Sequence, residues 1–195
     1  MRPILDFIVK PIGDRYNNSV KVGEKSLILN TEIFNHSYIN RRAEVVSTPM
    51  HNPLNIQVGD ELIIHHNVFR RWHNMKGVEK NGRGFLKEGE FLLQNDQFFM
   101  YGKPNDRKVV PGFTFIKPLK SEDNFSNDDE IPLMGVVKHS HAFDKGTLVG
   151  FSPGDEFEFV VDEERLYRVM DKFINIEYEY KGNEEEYNPS WAQSC

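Results

Sequence analysis

Val58-Gly59-Asp60-Glu61-Leu62-Ile63-Ile64 and Pro153-Gly154-Asp155-Glu156-Phe157-Glu158-Phe159 share one pattern. In each, a glycine free to take a left-handed conformation precedes an aspartate that can bond turn amides, and alternating residues follow. Other echoes keep the same order along the chain. Ile8-Val9-Lys10-Pro11-Ile12 returns as Phe115-Ile116-Lys117-Pro118-Leu119, and Ala43-Glu44-Val45-Val46 as Met134-Gly135-Val136-Val137. Asn95-Asp96-Gln97-Phe98-Phe99 returns as Met170-Asp171-Lys172-Phe173-Ile174. Each echo alone is ordinary strand vocabulary; the shared order predicts one β module written twice. The first copy carries two extra pieces, one between its first two matched strands and one after the Gly-Asp-Glu strand. Extra pieces on a shared core are loops, and loops carry function.

A chain of 195 residues with 38% hydrophobic residues and 15 Phe can fill two small β cores. No segment shows helical periodicity beyond a turn or two. The fold class expected is therefore all-β. No apolar run reaches the ~20 residues of a membrane helix. Asp6 interrupts any apolar stretch at the N-terminus, so no signal peptide is expected. The one cysteine is Cys195, which excludes a disulfide framework and fits a cytoplasmic setting. Residues 1–108 carry 16 Lys and Arg against 12 Asp and Glu, while residues 109–195 carry 8 against 18. The halves present different surfaces.

The boundaries expected are a first module at 1–101, a linker at 102–112, a trimmed second module at 113–181 and a polar tail at 182–195. The first module holds a long loop at 20–41 and a hairpin at 67–89, with Gly82-Arg83-Gly84 near the hairpin's return. The second holds a strongly acidic loop at 120–131. The tail has Trp191 as its only large apolar anchor and is expected to be poorly ordered.

Taken together, a strand ending in Lys10-Pro11, a long loop holding Leu27-Ile28-Leu29, Glu44-Val45-Val46, Val58-Gly59-Asp60 and a closing strand pair resemble the GroES-type co-chaperonins. The resemblance covers residues 7–101 and, in trimmed form, 113–178. The tandem arrangement is similar to the double-domain co-chaperonins of chloroplasts, and the divergence looks like that of a viral or phage relative. What the resemblance implies is two tandem GroES-like partly open β-barrels, a homo-oligomer, and an adaptor that caps a chaperonin ring in the cytoplasm, the host's if viral, without catalysis or cofactor. Leu27, Ile28 and Leu29 match the loop tripeptide that docks on the chaperonin. Two alternatives stand beside this one: a virion structural or assembly protein that packs through the same barrels, and a nucleic-acid-binding β module. The triplet can also be read as an extra strand of the barrel. The sequence departs from the family in the acidic 120–131 loop, which has no aliphatic triplet, and in the insertion after Ile64.

Arg70, Arg71, Trp72 and Lys76 open that insertion. Bases beside aromatics suit a nucleic-acid strand or an inter-domain contact. The overall charge of −6 argues against nucleic acid. His65, His66 and His73 lie near Trp72, and His139 and His141 are expected to share a strand face. No cysteine or ordered carboxylate completes a ligand set, so no metal site is expected. Catalytic motifs are absent: there is no Gly-x-Ser-x-Gly, no phosphate loop, and Gly82-x-Gly84 lacks a third glycine.

Overall fold

The computed structural model describes residues 3–17, 19–22, 25–28, 35–121, 129–179 and 184–194, with the backbone alone at 19–22, 25–28 and 194. Its elements are strands and short 3-10 turns, and the sheets are antiparallel. Two compact units divide between Asp106 and Arg107.

In the first unit the strands are β1 (Phe7–Pro11), β2 (Ser19–Val22), β3 (Lys25–Ile28), β4 (Arg42–Ser47), β5 (Glu61–Ile64), β6 (Arg71–His73), β7 (Glu79–Asn81), β8 (Phe85–Lys87), β9 (Glu90–Leu93) and β10 (Phe98–Lys103). The chain passes to the second unit through β11 (Asp106–Val109). There it forms β12 (Phe113–Lys120), β13 (Glu130–Ser140), β14 (Leu148–Phe151), β15 (Phe157–Val161), β16 (Glu164–Met170) and β17 (Ile174–Tyr178). One sheet runs β11-β10-β5-β4-β1-β9-β8, and the other runs β15-β16-β12-β13-β14-β17.

Six strands of each unit thus follow one topology. β12 stands for β1, β13 for β4, β14 for β5, β16 for β9, β17 for β10 and β15 for β8. The irregularities match too. Pairing of β1 with β4 skips Val46, between Ile8↔Ser47 and Val9↔Val45. That of β12 with β13 skips Lys138, between Phe115↔His139 and Ile116↔Val137. A second shared bulge passes over Phe99 in β10 and Asn175 in β17. Bulges re-aim a strand at a fixed point, so their recurrence ties the two copies in register.

That register corrects the sequence alignment. Lys10-Pro11 and Lys117-Pro118 do occupy one place, since Pro11 faces Ala43 and Pro118 faces Gly135. Val45, not Val46, is the counterpart of Val137. The counterpart of β5 is β14, a strand the sequence reading passed over, and the glycine that answers Gly59 is Gly146. Gly59 N donates to Val45 O at 2.9 Å and Val45 N to Asp60 O at 2.9 Å. Gly146 N donates to Val137 O at 2.8 Å and Val137 N to Thr147 O at 2.9 Å. The φ angles are 89° and 93°.

The second Gly-Asp-Glu does a different job. It leads into β15, whose counterpart β8 has no such turn. Asp155 is buried and accepts from Met170 N at 2.7 Å, which anchors β16. Asp60 instead accepts from Gln57 N within its own turn at 2.8 Å. The two motifs coincide because both sites need a glycine at positive φ followed by an acceptor, not because they are copies.

Each core is built on a central strand buried along its whole length. All four residues of β5 and all four of β14 are buried, as central strands require. Phe7 packs edge-on to Phe98 at 5.6 Å, and Phe69 to Phe91 at 4.8 Å, in the first unit. Ile116, Val137, Val149, Phe151 and Val169 form the centre of the second.

Three further expectations change. The range 102–112 is not a bare linker: it holds the end of β10, a turn with Asn105 at φ 65°, and β11. Within 182–195, residues 184–194 are packed rather than loose. Tyr187 N donates to Pro118 O at 2.8 Å and Arg165 N donates to Asn188 Oδ1 at 2.9 Å. The tail is anchored there by polar bonds to strands and by buried Ala192, while Trp191 is half exposed. Most of the acidic 120–131 loop lies outside the described residues.

Candidate hairpin sites

Both extra pieces of the first unit are hairpins, and each bears candidate residues. β2 and β3 pair as Ser19↔Ile28, Val20↔Leu27, Lys21↔Ser26 and Val22↔Lys25. Among the described residues this ladder is a two-stranded sheet of its own. The backbone of Leu27 and Ile28 is therefore a strand, but not one of the seven-stranded sheet. Leu29 lies outside the described residues. The segment returns through the 3-10 turn His36–Tyr38, where Asn35 caps the first turn by accepting from Ser37 N at 3.0 Å. Asn40, buried, then donates to Ile12 O and Asp14 O at 2.7 and 2.8 Å. Those bonds fasten the returning strand to the exit of β1.

The second hairpin, β6 with β7, turns at Asn74–Val78 rather than at Gly82-Arg83-Gly84. Asn74 Oδ1 accepts from Lys76 N and Val78 N, and Gly77 sits at φ 72°. Gly84 serves elsewhere: a side chain there would meet Leu92 O at 2.5 Å, so β9 can approach closely. Arg15 reaches across from the exit of β1. It donates to Phe69 O at 2.5 Å, to Arg70 O at 3.2 Å and to Asn81 Oδ1 at 2.6 Å. Burial first, and then Arg71, lower its pKa from the ordinary arginine value.

The four hairpin residues singled out in the sequence are not equivalent. Arg71 is committed to the fold: its N–H donates to Tyr16 Oη at 2.8 Å, its guanidinium lies over the Tyr16 ring at 4.6 Å, and it pairs with Glu79 at 3.0 Å. Trp72 is 44% exposed, with its indole N–H held by Asn81 O at 3.1 Å. Met75 and Val78, in the turn, are exposed too. Lys76 sits at the tip, and Arg70 precedes β6. The hairpin thus presents an aromatic and an aliphatic surface, with part of its positive charge spent internally.

Histidines fall into two groups. The His66 ring lies between those of His65 and His36, at centroid distances of 4.2 and 5.3 Å. His73 ends β6 and is exposed. His139 lies in β13, but that strand ends at Ser140, so His141 does not continue its face. Among the described residues no group of three His, Cys, Asp or Glu is arranged to hold a metal ion. Among them, too, no helix is long and apolar enough to cross a membrane.

The ionic groups in the second unit serve its turns. Arg107, with its side chain buried, makes a two-pronged contact to Asp162 at 2.9 and 2.8 Å. Arg165 bonds Glu130, Glu158 at 2.7 Å and Tyr167 at 2.6 Å, and lies over the Tyr187 ring. Burial and the bond to Glu130 push the Tyr167 hydroxyl above its usual range. The sequence pattern carries no signal for Arg107 with Asp162 or Arg165 with Glu130, because those partners lie 55 and 35 residues apart.

No protein-family model matches this sequence, and no curated protein matches it.

Proposed function

We propose that the chain is a co-chaperonin-like adaptor, built from two GroES-like partly open barrels, that binds a chaperonin ring through the segment at 20–41 and catalyses nothing itself. The observation that carries this reading is the place of Leu27 and Ile28. They stand in a ladder inserted between β1 and β4, apart from the seven-stranded sheet. The resemblance puts the docking tripeptide at this point. The shared strand order of the two units supports the tandem-barrel part.

The energetics suit the role. A small hairpin that orders further on docking gains little per copy, so binding depends on several copies acting together. Each aliphatic side chain buried on a partner contributes ~1.5–3 kcal/mol. The chain therefore acts as a homo-oligomer, presenting its segments at once.

The test is capture of a purified chaperonin ring by the full chain, with and without nucleotide. Nucleotide-dependent binding that is lost when Leu27, Ile28 and Leu29 are all replaced by Ser is the expected result. Absence of binding under every nucleotide condition would overturn the reading and favour a purely structural assembly protein.

A further inference from the structure

The two sheets differ at one end. In the first, β10 has a further strand, β11, along its outer side. Its counterpart β17 is the last strand of the second sheet among the described residues. The described chain after β17 lies on β12 and β16 instead. Lys120 N donates to Glu185 O at 2.7 Å, and Arg165 N to Asn188 Oδ1 at 2.9 Å. An edge strand turns N–H and C=O groups outward, where another strand can pair with them. The fold accepts a strand at this position in one unit; in the other, no described strand takes it.

The opposite ends of the sheets are alike, since β8 and β15 are both terminal. β15 is guarded by its own side chains. Glu158 pairs with Arg165 at 2.7 Å, and Phe157 lies under the Arg168 guanidinium at 4.7 Å. The difference between the units therefore rests on β17.

The side chains of β17 specify what a partner strand must carry. Gly150 faces Ile176 and Leu148 faces Tyr178, so Ile176 and Tyr178 share one face of β17. They are 51% and 37% exposed. The Tyr178 ring lies over Gly150, where a side chain would meet its Cε2 atom at 3.0 Å. Glu177, opposite Val149, is exposed on the other face, and exposed Glu179 follows. The edge thus offers apolar groups on one face and a carboxylate on the other. Residues 109–195 carry 8 Lys and Arg against 18 Asp and Glu, so their field favours a basic partner. A second copy of β17 would bring its own glutamates to this edge, and facing like charges destabilise a strand pair.

We propose that the outer edge of β17 binds an extended protein segment in which basic and aliphatic residues alternate. The segment joins the sheet as a strand, in the place that β11 holds in the first unit. Its aliphatic side chains cover Ile176 and Tyr178, and its Lys or Arg pairs with Glu177. Main-chain hydrogen bonds supply affinity, and the alternation supplies specificity. This inference does not rest on the chaperonin reading: it concerns the second unit alone, and its test contains no ring.

Amide-resolved NMR of the full chain tests it with synthetic peptides. The probe is a short peptide of alternating Lys and Val. A second peptide has Glu in place of every Lys. A third keeps every Lys but has Pro in place of every Val, which removes hydrogen-bond donors at unchanged charge. The probe is expected to shift the backbone amides of Ile176 to Glu179 and to slow their hydrogen exchange. It binds about tenfold more tightly than either of the other peptides. Glu177→Lys, at an exposed position, weakens the probe by about tenfold. Glu177→Gln, which keeps the shape, weakens it less but measurably, so a folding failure of the first variant leaves the test standing. Equal binding of the Pro peptide reduces the contact to net charge and overturns the proposal. So do amide shifts centred on β15, absence of binding at millimolar probe, and unchanged affinity in both Glu177 variants.

Discussion

The backbone N–H of Gly59 donates to the carbonyl of Val45 at 2.9 Å, joining the turn before β5 to the strand that β5 pairs with. Gly146 and Val137 make the same bond in the second unit, at 2.8 Å. Both glycines have positive φ, with open space where a side chain would be. Replacing either by Ala is expected to cost about 1 kcal/mol through backbone strain alone. Urea denaturation of the two variants measures it.

Gly135 is a different case. A methyl group there would press into the Lys117 carbonyl oxygen and the Ile116 side chain. Its counterpart Ala43 fits opposite Pro11. Gly135→Ala is expected to destabilise the second unit by about 1–3 kcal/mol, as overpacking does. An unchanged midpoint would mean that β12 and β13 stand further apart at that point.

Asp162 and Glu163 form the turn between β15 and β16 at φ 49° and 66°. Asn accepts such a conformation as well as Asp does. Asp162→Asn therefore leaves the turn intact and removes the charge facing buried Arg107. A loss of about 1.5–3 kcal/mol is expected, the range for a hydrogen bond to a charged group. Glu163→Asn, which keeps the turn and faces no such partner, is the control and should stay near neutral.

His66 titrates with its folded pKa depressed, so the folded state prefers the neutral ring. Its contribution is complete above the ordinary histidine pKa of about 6.5 and is lost as pH falls from there towards 4. His139, lowered first by burial and then by Lys145, works in the same direction in the second unit. Denaturation midpoints between pH 7 and pH 4 should fall less steeply in His66→Phe than in the parent chain. Identical slopes would remove His66 from the account.

Arg71 tests what the second hairpin does with its charge. Its bonds to Tyr16 and Glu79 are internal, so Arg71→Ala is expected to lower stability by about 1 kcal/mol. No nucleic-acid binding is expected in the parent chain. A gel shift at physiological salt that weakens steeply with added salt would reverse that expectation.

The all-β class and the presence of two related modules were legible in the sequence, because alternation along strands and glycine-bearing turns are local properties. Lys10-Pro11 and Lys117-Pro118 were matched correctly for that reason. Which strand answers which was not legible. The second Gly-Asp-Glu imitates the first in letters, yet only pairing across the sheet shows that Gly146 fills the place of Gly59. β14 escaped because Leu148-Val149-Gly150-Phe151 is four residues of unbroken burial, without alternation to mark it. β2 and β3 escaped because their short runs are interrupted by charge. The candidate site was half visible: the aliphatic triplet and the Arg-Trp hairpin stand out as runs of residue types. The stack of His36 on His66 does not, since thirty residues separate them in the chain and only the meeting of a loop's return with a strand's exit brings them together. Local preference decided the elements; pairing register and chain reversal, which depend on contacts remote in sequence, decided their places.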